Sequence, residues 1–188
     1  MESKRVSDTR LVMAQRMTPN DANYLGNVFG GAILALIDLA AASVSTRFAR
    51  ETCVTASFDR VDFLKPVEIG DLVELEGYIS FVGRTSMEVI VDVHATNLIH
   101  DERRHVNTAR VTMVAIRDGR PKEVPRLICE TRDEKLRFLE GRLRREVRQE
   151  RLKENEANRV ALHAASDEDL DRLLAFDGPL KLMLSTLS

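Results

Sequence analysis

At 188 residues, with 44% hydrophobic and 31% charged side chains, the chain has room for one domain of about 100–150 residues and an appendage. A formal net charge of −2 argues against a dedicated nucleic-acid binder, and no apolar run approaches the roughly 20 residues that span a bilayer. Cys53 and Cys129 lie far apart, with neither metal spacing nor a disulfide framework, and the N-terminus lacks the apolar stretch of a signal peptide; both features point to a cytoplasmic protein with reduced thiols.

In chain order, Leu11–Met17 reads as a first strand, closed by Thr18-Pro19-Asn20-Asp21. A polar, glycine-bearing loop then runs into a helix over about Gly31–Arg47 that is apolar almost all round, and such a helix belongs in a core. Strand character follows at Cys53–Phe63, ended by Lys65-Pro66, and at Asp71–Phe81, where Leu72, Leu75, Tyr78 and Phe81 stand among acids and small residues. Gly83-Arg84 marks a turn, Ser86–Ala95 alternates again, and Arg103–Arg117 gives the last strand before the turn pair Asp118-Gly119. One helix followed by an antiparallel meander predicts an α+β fold with the sheet wrapped around the helix.

Past Pro125 the composition changes. From Thr131 to about His163 the chain is dense in Arg, Lys and Glu, with a narrow stripe of Leu136, Leu139, Leu143 and Val147 at helical spacing. The stripe predicts a solvated helix docked on its own domain or on a neighbouring subunit. Acids interleave with the arginines, which speaks against a nucleic-acid arm. Ser166-Asp167-Glu168-Asp169 reads as a capped helix start, and Pro179–Leu184 as an apolar end that packs against something. The expected division is a domain over 8–120 and a helical extension over 121–188.

Within the apolar helix one residue is out of place. Asp38 is a carboxylate in apolar surroundings, costly unless something uses or pairs it. Gly30-Gly31 stand where the helix begins, so bare backbone N–H groups can face a ligand. Asp38 follows Gly30 by eight residues, about 12 Å along a helix axis, so one helix cannot bring both to one small group. Two antiparallel copies in a dimer could bring Asp38 of one to Gly30-Gly31 of the other, facing the positive end of that helix dipole. The structural alternatives are tight packing for the glycines and a cap or a buried amide partner for Asp38.

The run Asp21-Ala22-Asn23-Tyr24-Leu25-Gly26-Asn27-Val28-Phe29-Gly30-Gly31, with Ile33-Leu34 and Ile37-Asp38 after it, resembles the signature of hotdog-fold acyl-CoA thioesterases. The resemblance is greatest to the brain-type long-chain acyl-CoA hydrolase group and its bacterial relatives. Val54-Thr55-Ala56-Ser57, Val61-Asp62-Phe63, Lys65-Pro66, Gly70-Asp71 and Val82-Gly83-Arg84-Thr85-Ser86 match as well, so the likeness extends over about residues 8–120. It implies a sheet around a central helix, a homodimer with one continuous ten-stranded sheet as the minimum unit, and a hexamer built as a trimer of dimers. It implies acyl-CoA as substrate and no metal or other cofactor, coenzyme A being part of the substrate. It also implies that Asp38 is the general base or nucleophile, that Asn23 orients water or the carbonyl, and that the amide of Gly30 or Gly31 holds the developing oxyanion. Such a donor is typically worth about 3–4 kcal/mol of barrier.

Coenzyme A carries phosphates, so cationic side chains are expected at the mouth: Arg84 first, with Thr85 and Ser86 as hydroxyl partners, then Lys65 and Arg126. Tyr24, Leu25 and Phe29 line either the acyl path or the core. Two rivals stand beside hydrolysis. Hotdog dehydratases use an active-site histidine, and His94, His100, His105 and His163 all lie away from the glycine loop and the helix. A non-catalytic acyl-CoA sensor on the same fold, acting through the charged tail, is the alternative.

Overall fold

The computed structural model describes residues 3–180 and 183. Its elements are β1 (Ser3–Arg5), β2 (Leu11–Arg16), α1 (Gly30–Ala49), β3 (Thr52–Phe58), β4 (Leu72–Val82), β5 (Ser86–Asn97), β6 (Glu102–Arg117), β7 (Arg120–Pro121), β8 (Arg126–Ile128), α2 (Arg132–Ala164) and α3 (Asp167–Leu174). The chain divides into two compact units, Met1–Arg142 and Leu143–Ser188.

In the first unit an antiparallel sheet of order β2-β4-β5-β6-β3 curls around α1, the hotdog arrangement. Only β4, β5 and β6 form the expected meander. β3 leaves its sequence neighbour β4 and pairs with β6 at the far edge, Thr55 opposite Met113. It ends at Phe58 rather than Phe63, and a bulge between Thr55 and Ser57 shifts its register before pairing resumes at Ser57 and Phe58. Beyond it, backbone bonds from Asp59 N to Arg110 O and from Leu64 N to Val106 O tie the chain to β6, as does Arg104 Nε donating to Pro66 O at 3.2 Å.

Alternation sorts the sheet into two faces. Val73, Leu75, Ile79, Val89, Val91, Val93, Val111, Met113 and Ala115 point inward and meet Ile33, Ile37, Ala40, Ala41, Val44 and Phe48 of α1 in one core. Contrary to the expectation that no apolar run approaches a spanning length, α1 is, among the described residues, the one helix long and apolar enough by length and composition to cross a membrane; half of that stretch is buried inside the fold, where the sheet wraps it. The wrap covers one side only: Ala35 and Leu39 stay exposed, and Asp38 is half-buried rather than buried as its apolar neighbourhood suggests. Among the described residues the sheet has no further strand to close that side.

The outer face of the sheet carries a second, smaller cluster of Val6, Tyr78 and Ile90, flanked by Leu127 and Cys129. β1 and β8 pair in parallel there, so residues on both sides of the expected 8–120 domain belong to the same compact unit. The α2 helix starts with a capping box: Thr131 Oγ1 accepts from Glu134 N, and Glu134 Oε2 accepts from Thr131 N at 3.0 Å. Those bonds hold the Glu134 carboxyl below its ordinary pKa. Its first turns dock through Phe138, whose ring stands 5.0 Å from that of Phe81, through Arg137, which donates to the Tyr78 hydroxyl, and through buried Gly141. Within one chain the leucine stripe is therefore not the docked face: Leu136 and Leu139 are exposed, while docking of the stripe on a neighbouring subunit is untouched by this.

In the second unit Ser166 caps α3 as expected, its Oγ accepting from Asp169 N at 3.2 Å, and Leu173 is buried. Of the apolar end Pro179–Leu184, residues Lys181, Leu182 and Leu184 lie outside the described residues.

Candidate active site

Two corners of the first unit hold the candidate residues. The first is the loop before α1. Asp21 fixes its entry, accepting from both Thr18 N and Thr18 Oγ1 at 2.8 Å, which lowers its carboxyl pKa. Asn23 Oδ1 accepts from Leu25 N at 2.8 Å and Asn27 N at 3.2 Å, and Asn23 N donates to Asn27 O at 2.7 Å. With its oxygen occupied by the turn, the Asn23 side chain keeps its amide donors for another group. Phe29 N donates to Asp21 O at 2.7 Å, holding this loop against the start of α1. The helix opens at Gly30 after Phe29, which supplies no side-chain cap. The first amides of a helix have no partner within it, so Gly30 and Gly31 present bare donors at the positive end of α1.

The second corner lies two helical turns along. Thr55 Oγ1 on β3 donates to Asp38 Oδ1 at 2.5 Å, and the same hydroxyl lies 3.4 Å from Met113 Sδ. This short bond to a charged acceptor fixes the carboxylate rotamer. Thr55 is the residue that sequence reasoning missed. It lies within the family-like run Val54-Thr55-Ala56-Ser57, but a threonine on a strand is ordinary, and only the pairing of β3 with β6 at the edge brings it over α1.

The sheet register places the β4–β5 turn beside this second corner. Ser86 is opposite Val114, and Val114 opposite Val54; Ala115 N donates to Thr85 O at 3.1 Å. Two strand spacings, about 10 Å, separate the turn from β3. Arg84 at its tip is exposed and pairs with Glu123 at 3.4 Å. Lys65 is exposed in the loop after β3, next to Leu64, whose N bonds Val106 O. That position is about 23 Å along β6 from the Met113 rung. Phe63 of the same loop comes close to Gly30. The candidates thus separate into an amide half with Asn23, Gly30, Gly31 and Lys65, and a carboxylate half with Asp38, Thr55, Arg84, Thr85 and Ser86. Among the described residues no group of three or more His, Cys, Asp or Glu side chains is arranged to hold a metal.

His94 and His105 stand apart from both corners, their rings 5.2 Å apart across β5 and β6. Asp92 accepts from Thr108 Oγ1 at 2.6 Å, and Thr108 Oγ1 lies 3.0 Å from His105 Nε2.

Residues 25–98 match the family model described as the thioesterase superfamily. The chain is 40% identical over 134 residues to an uncharacterized acyl-CoA thioester hydrolase, YkhA, of Bacillus subtilis, covering 71% of this chain and 78% of that one. An apo hexameric acyl-CoA thioesterase superposes with a TM-score of 0.77 at 40% identity, over 81% of this chain and 98% of that one. The acyl-CoA hydrolase of Staphylococcus aureus, solved with butyryl coenzyme A, coenzyme A and coenzyme A disulfide, superposes with a TM-score of 0.74 at 33% identity, over 82% and 94%. Structures of variants of that enzyme have an asparagine, an aspartate or a threonine replaced by alanine. The asparagine and aspartate there are 15 positions apart, and the aspartate and threonine 17; Asn23, Asp38 and Thr55 have the same separations. In fold, in sequence over most of its first unit and in the spacing of these three polar residues, the chain belongs to the acyl-CoA thioester hydrolases of the thioesterase superfamily.

Proposed function

We propose that the chain hydrolyses acyl-CoA to a free carboxylate and coenzyme A in the cytoplasm, at a site completed by two copies of the chain, with Asp38, Asn23 and the Gly30 or Gly31 amide as the working groups. The observation that carries this reading is Asp38, fixed by Thr55 at 2.5 Å on the uncovered side of α1. A carboxylate held in one rotamer beside an open apolar surface is arranged to meet a reactant brought by a second surface.

In the dimer, Asp38 of one protomer faces the start of α1 in its partner. Asp38 takes a proton from water as the water oxygen bonds to the thioester carbonyl carbon. The negative charge that builds on the carbonyl oxygen is held by the helix-start amide, which is already oriented and needs no rearrangement. The Asn23 amide orients the carbonyl or the water. Collapse breaks the C–S bond, and the proton held by Asp38 passes to the departing thiolate. Arg84, with Thr85 and Ser86, binds the coenzyme A phosphates at the mouth, and Lys65 meets them from the amide half; no metal or further cofactor takes part. The dimer joins the two sheets into one, and three dimers form a hexamer, an assembly supported by the hexameric thioesterase of similar structure.

A panel of acyl-CoAs, read by release of free thiol, tests the reading. Wild type should turn over part of the panel and Asp38→Ala should lose turnover by orders of magnitude. Equal rates for both would remove Asp38 as the base. Single turnover in ¹⁸O-water bears on its role, because label entering Asp38 identifies direct attack by the carboxylate, with water then attacking the Asp38 carbonyl carbon of the anhydride.

A further inference from the structure

We infer that Glu123 and Arg126 tune how tightly the coenzyme A phosphates bind, with Glu123 acting as a built-in competitor for Arg84 and Arg126 as a second cation across the same groove. The inference rests on the acyl-CoA reading and on Arg84 as a phosphate ligand.

The groove is a shallow surface cavity lined by Val82, Gly83, Arg84, Glu123, Val124 and Arg126, together with Pro125. Its far wall is fixed to the β4–β5 turn rather than merely near it. Val124 N donates to Arg84 O at 3.1 Å, Lys122 N donates to Ala115 O at 2.8 Å, and the Val124 side chain is buried in the main core. Buried Val124 therefore sets where its neighbour Glu123 stands, and the Glu123 carboxylate reaches Arg84 Nη1 at 3.4 Å. The side chains of this pair are 78% and 49% exposed, so the contact is weak and open to exchange. Arg126 begins β8, where its backbone pairs with Ser3, while its side chain is exposed. Two guanidinium groups and one carboxylate leave the groove with one net positive charge. A phosphate that enters must displace Glu123 from Arg84 and is drawn by Arg126, and a guanidinium fork suits phosphate oxygens.

The two residues therefore act with opposite sign, which a structural role would not reproduce. Steady-state kinetics on an acyl-CoA, on the thioester of dephospho-coenzyme A and on the matching acyl-pantetheine reads the effect. With acyl-CoA, Arg126→Ala should raise KM about two- to fivefold and Glu123→Gln should lower it by a similar factor, the scale of exposed ion pairs. In both variants kcat should stay unchanged, and KM for the acyl-pantetheine, which has no phosphate ester partner for the groove, should not move. An effect lost with the dephospho substrate assigns the groove to the ribose phosphate; an effect retained assigns it to the pyrophosphate. Unchanged KM values, changes of the same sign in both variants, or equal changes with the pantetheine thioester would overturn the inference. Calorimetric titration with free coenzyme A separates this from the underlying reading. A wild type that releases no thiol but whose coenzyme A binding weakens in Arg126→Ala would refute hydrolysis and retain the groove.

Discussion

Thr55→Val is the sharpest probe of the carboxylate half. Valine keeps the branched shape on β3 and removes the one hydroxyl that holds Asp38 Oδ1 at 2.5 Å. A hydrogen bond to a charged acceptor contributes about 1.5–3 kcal/mol. If all of it serves to hold Asp38 in the reactive rotamer, kcat should fall about 10- to 150-fold. KM should change little, since Thr55 acts through Asp38 and is a positioning residue. Thr55→Ser restores the hydroxyl and should recover most of the rate, while thermal denaturation of all three proteins checks that the fold is intact. Thiol release under saturating acyl-CoA measures the effect. A Thr55→Val enzyme with kcat within twofold of wild type and an unaltered melting curve would refute the claim that this bond positions the base.

Other parts of the molecule give predictions of different kinds. A Cβ at Gly31 would come within 2.1 Å of the Phe29 ring, so Gly31→Ala should lower activity by displacing that ring, and Phe29→Ala in the same chain should return part of the loss in a double-mutant cycle. Asp71 is fully buried and pairs with Arg104 while also accepting from Glu68 N at 2.8 Å; Arg104→Ala strands that charge and should cost about 3–5 kcal/mol in urea denaturation. Burial, then the charges of Arg103 and His105, lower the His94 pKa against the opposing pull of Asp92 and Glu74. The folded chain therefore binds that proton less readily than the unfolded chain, and stability should fall as pH drops below about 6.5; His94→Asn should flatten this loss in melting curves taken across pH. A chain ended at Arg142 should melt cooperatively, whereas one ended at Arg120 loses the β8 partner of β1 and the cover over Val6, Tyr78 and Ile90 and should lose its cooperative transition in circular dichroism.

Much of this architecture was open to reading where the pattern is local. The alternation of Leu72–Val82 and Ser86–Asn97 reflects one buried face, and the apolar run of α1 reflects a helix inside a sheet. Gly30-Gly31 and Asp38 stood out because each breaks the pattern around it. What depends on distant partners was not legible. The placement of β3 beside β6 is a pairing across about 60 residues, and its bulge leaves no clear mark in the chain. Thr55 acquires meaning only from that pairing. Docking of the tail on its own domain was hidden for a different reason. Its leucines have helical spacing, but the docked face of α2 consists of Arg137, Phe138 and Gly141, which meet the Tyr78 hydroxyl, the Phe81 ring and the closely packed side chains of Phe81 and Glu88 instead of an apolar stripe.

If the two corners are half-sites, as proposed, their separation within one chain ties assembly to chemistry. Asp38 and the amides of Gly30 and Gly31 ride on the same rigid helix, so no rearrangement of a single protomer shortens the roughly 12 Å between them. The uncovered side of α1 carries Asp38 beside Leu39, and the β3 edge ends in the partly exposed Phe58. Covering that apolar surface and bringing a second set of amides to Asp38 are met by the same event, the arrival of a second copy. In the proposed dimer a two-fold arrangement would form both sites at once, each surface supplying the half that the other lacks. On this reading specific activity should fall on dilution in step with dissociation of the dimer. A dilute, demonstrably monomeric chain that still released thiol at full rate would place the whole site within one protomer, against the rigid geometry of α1.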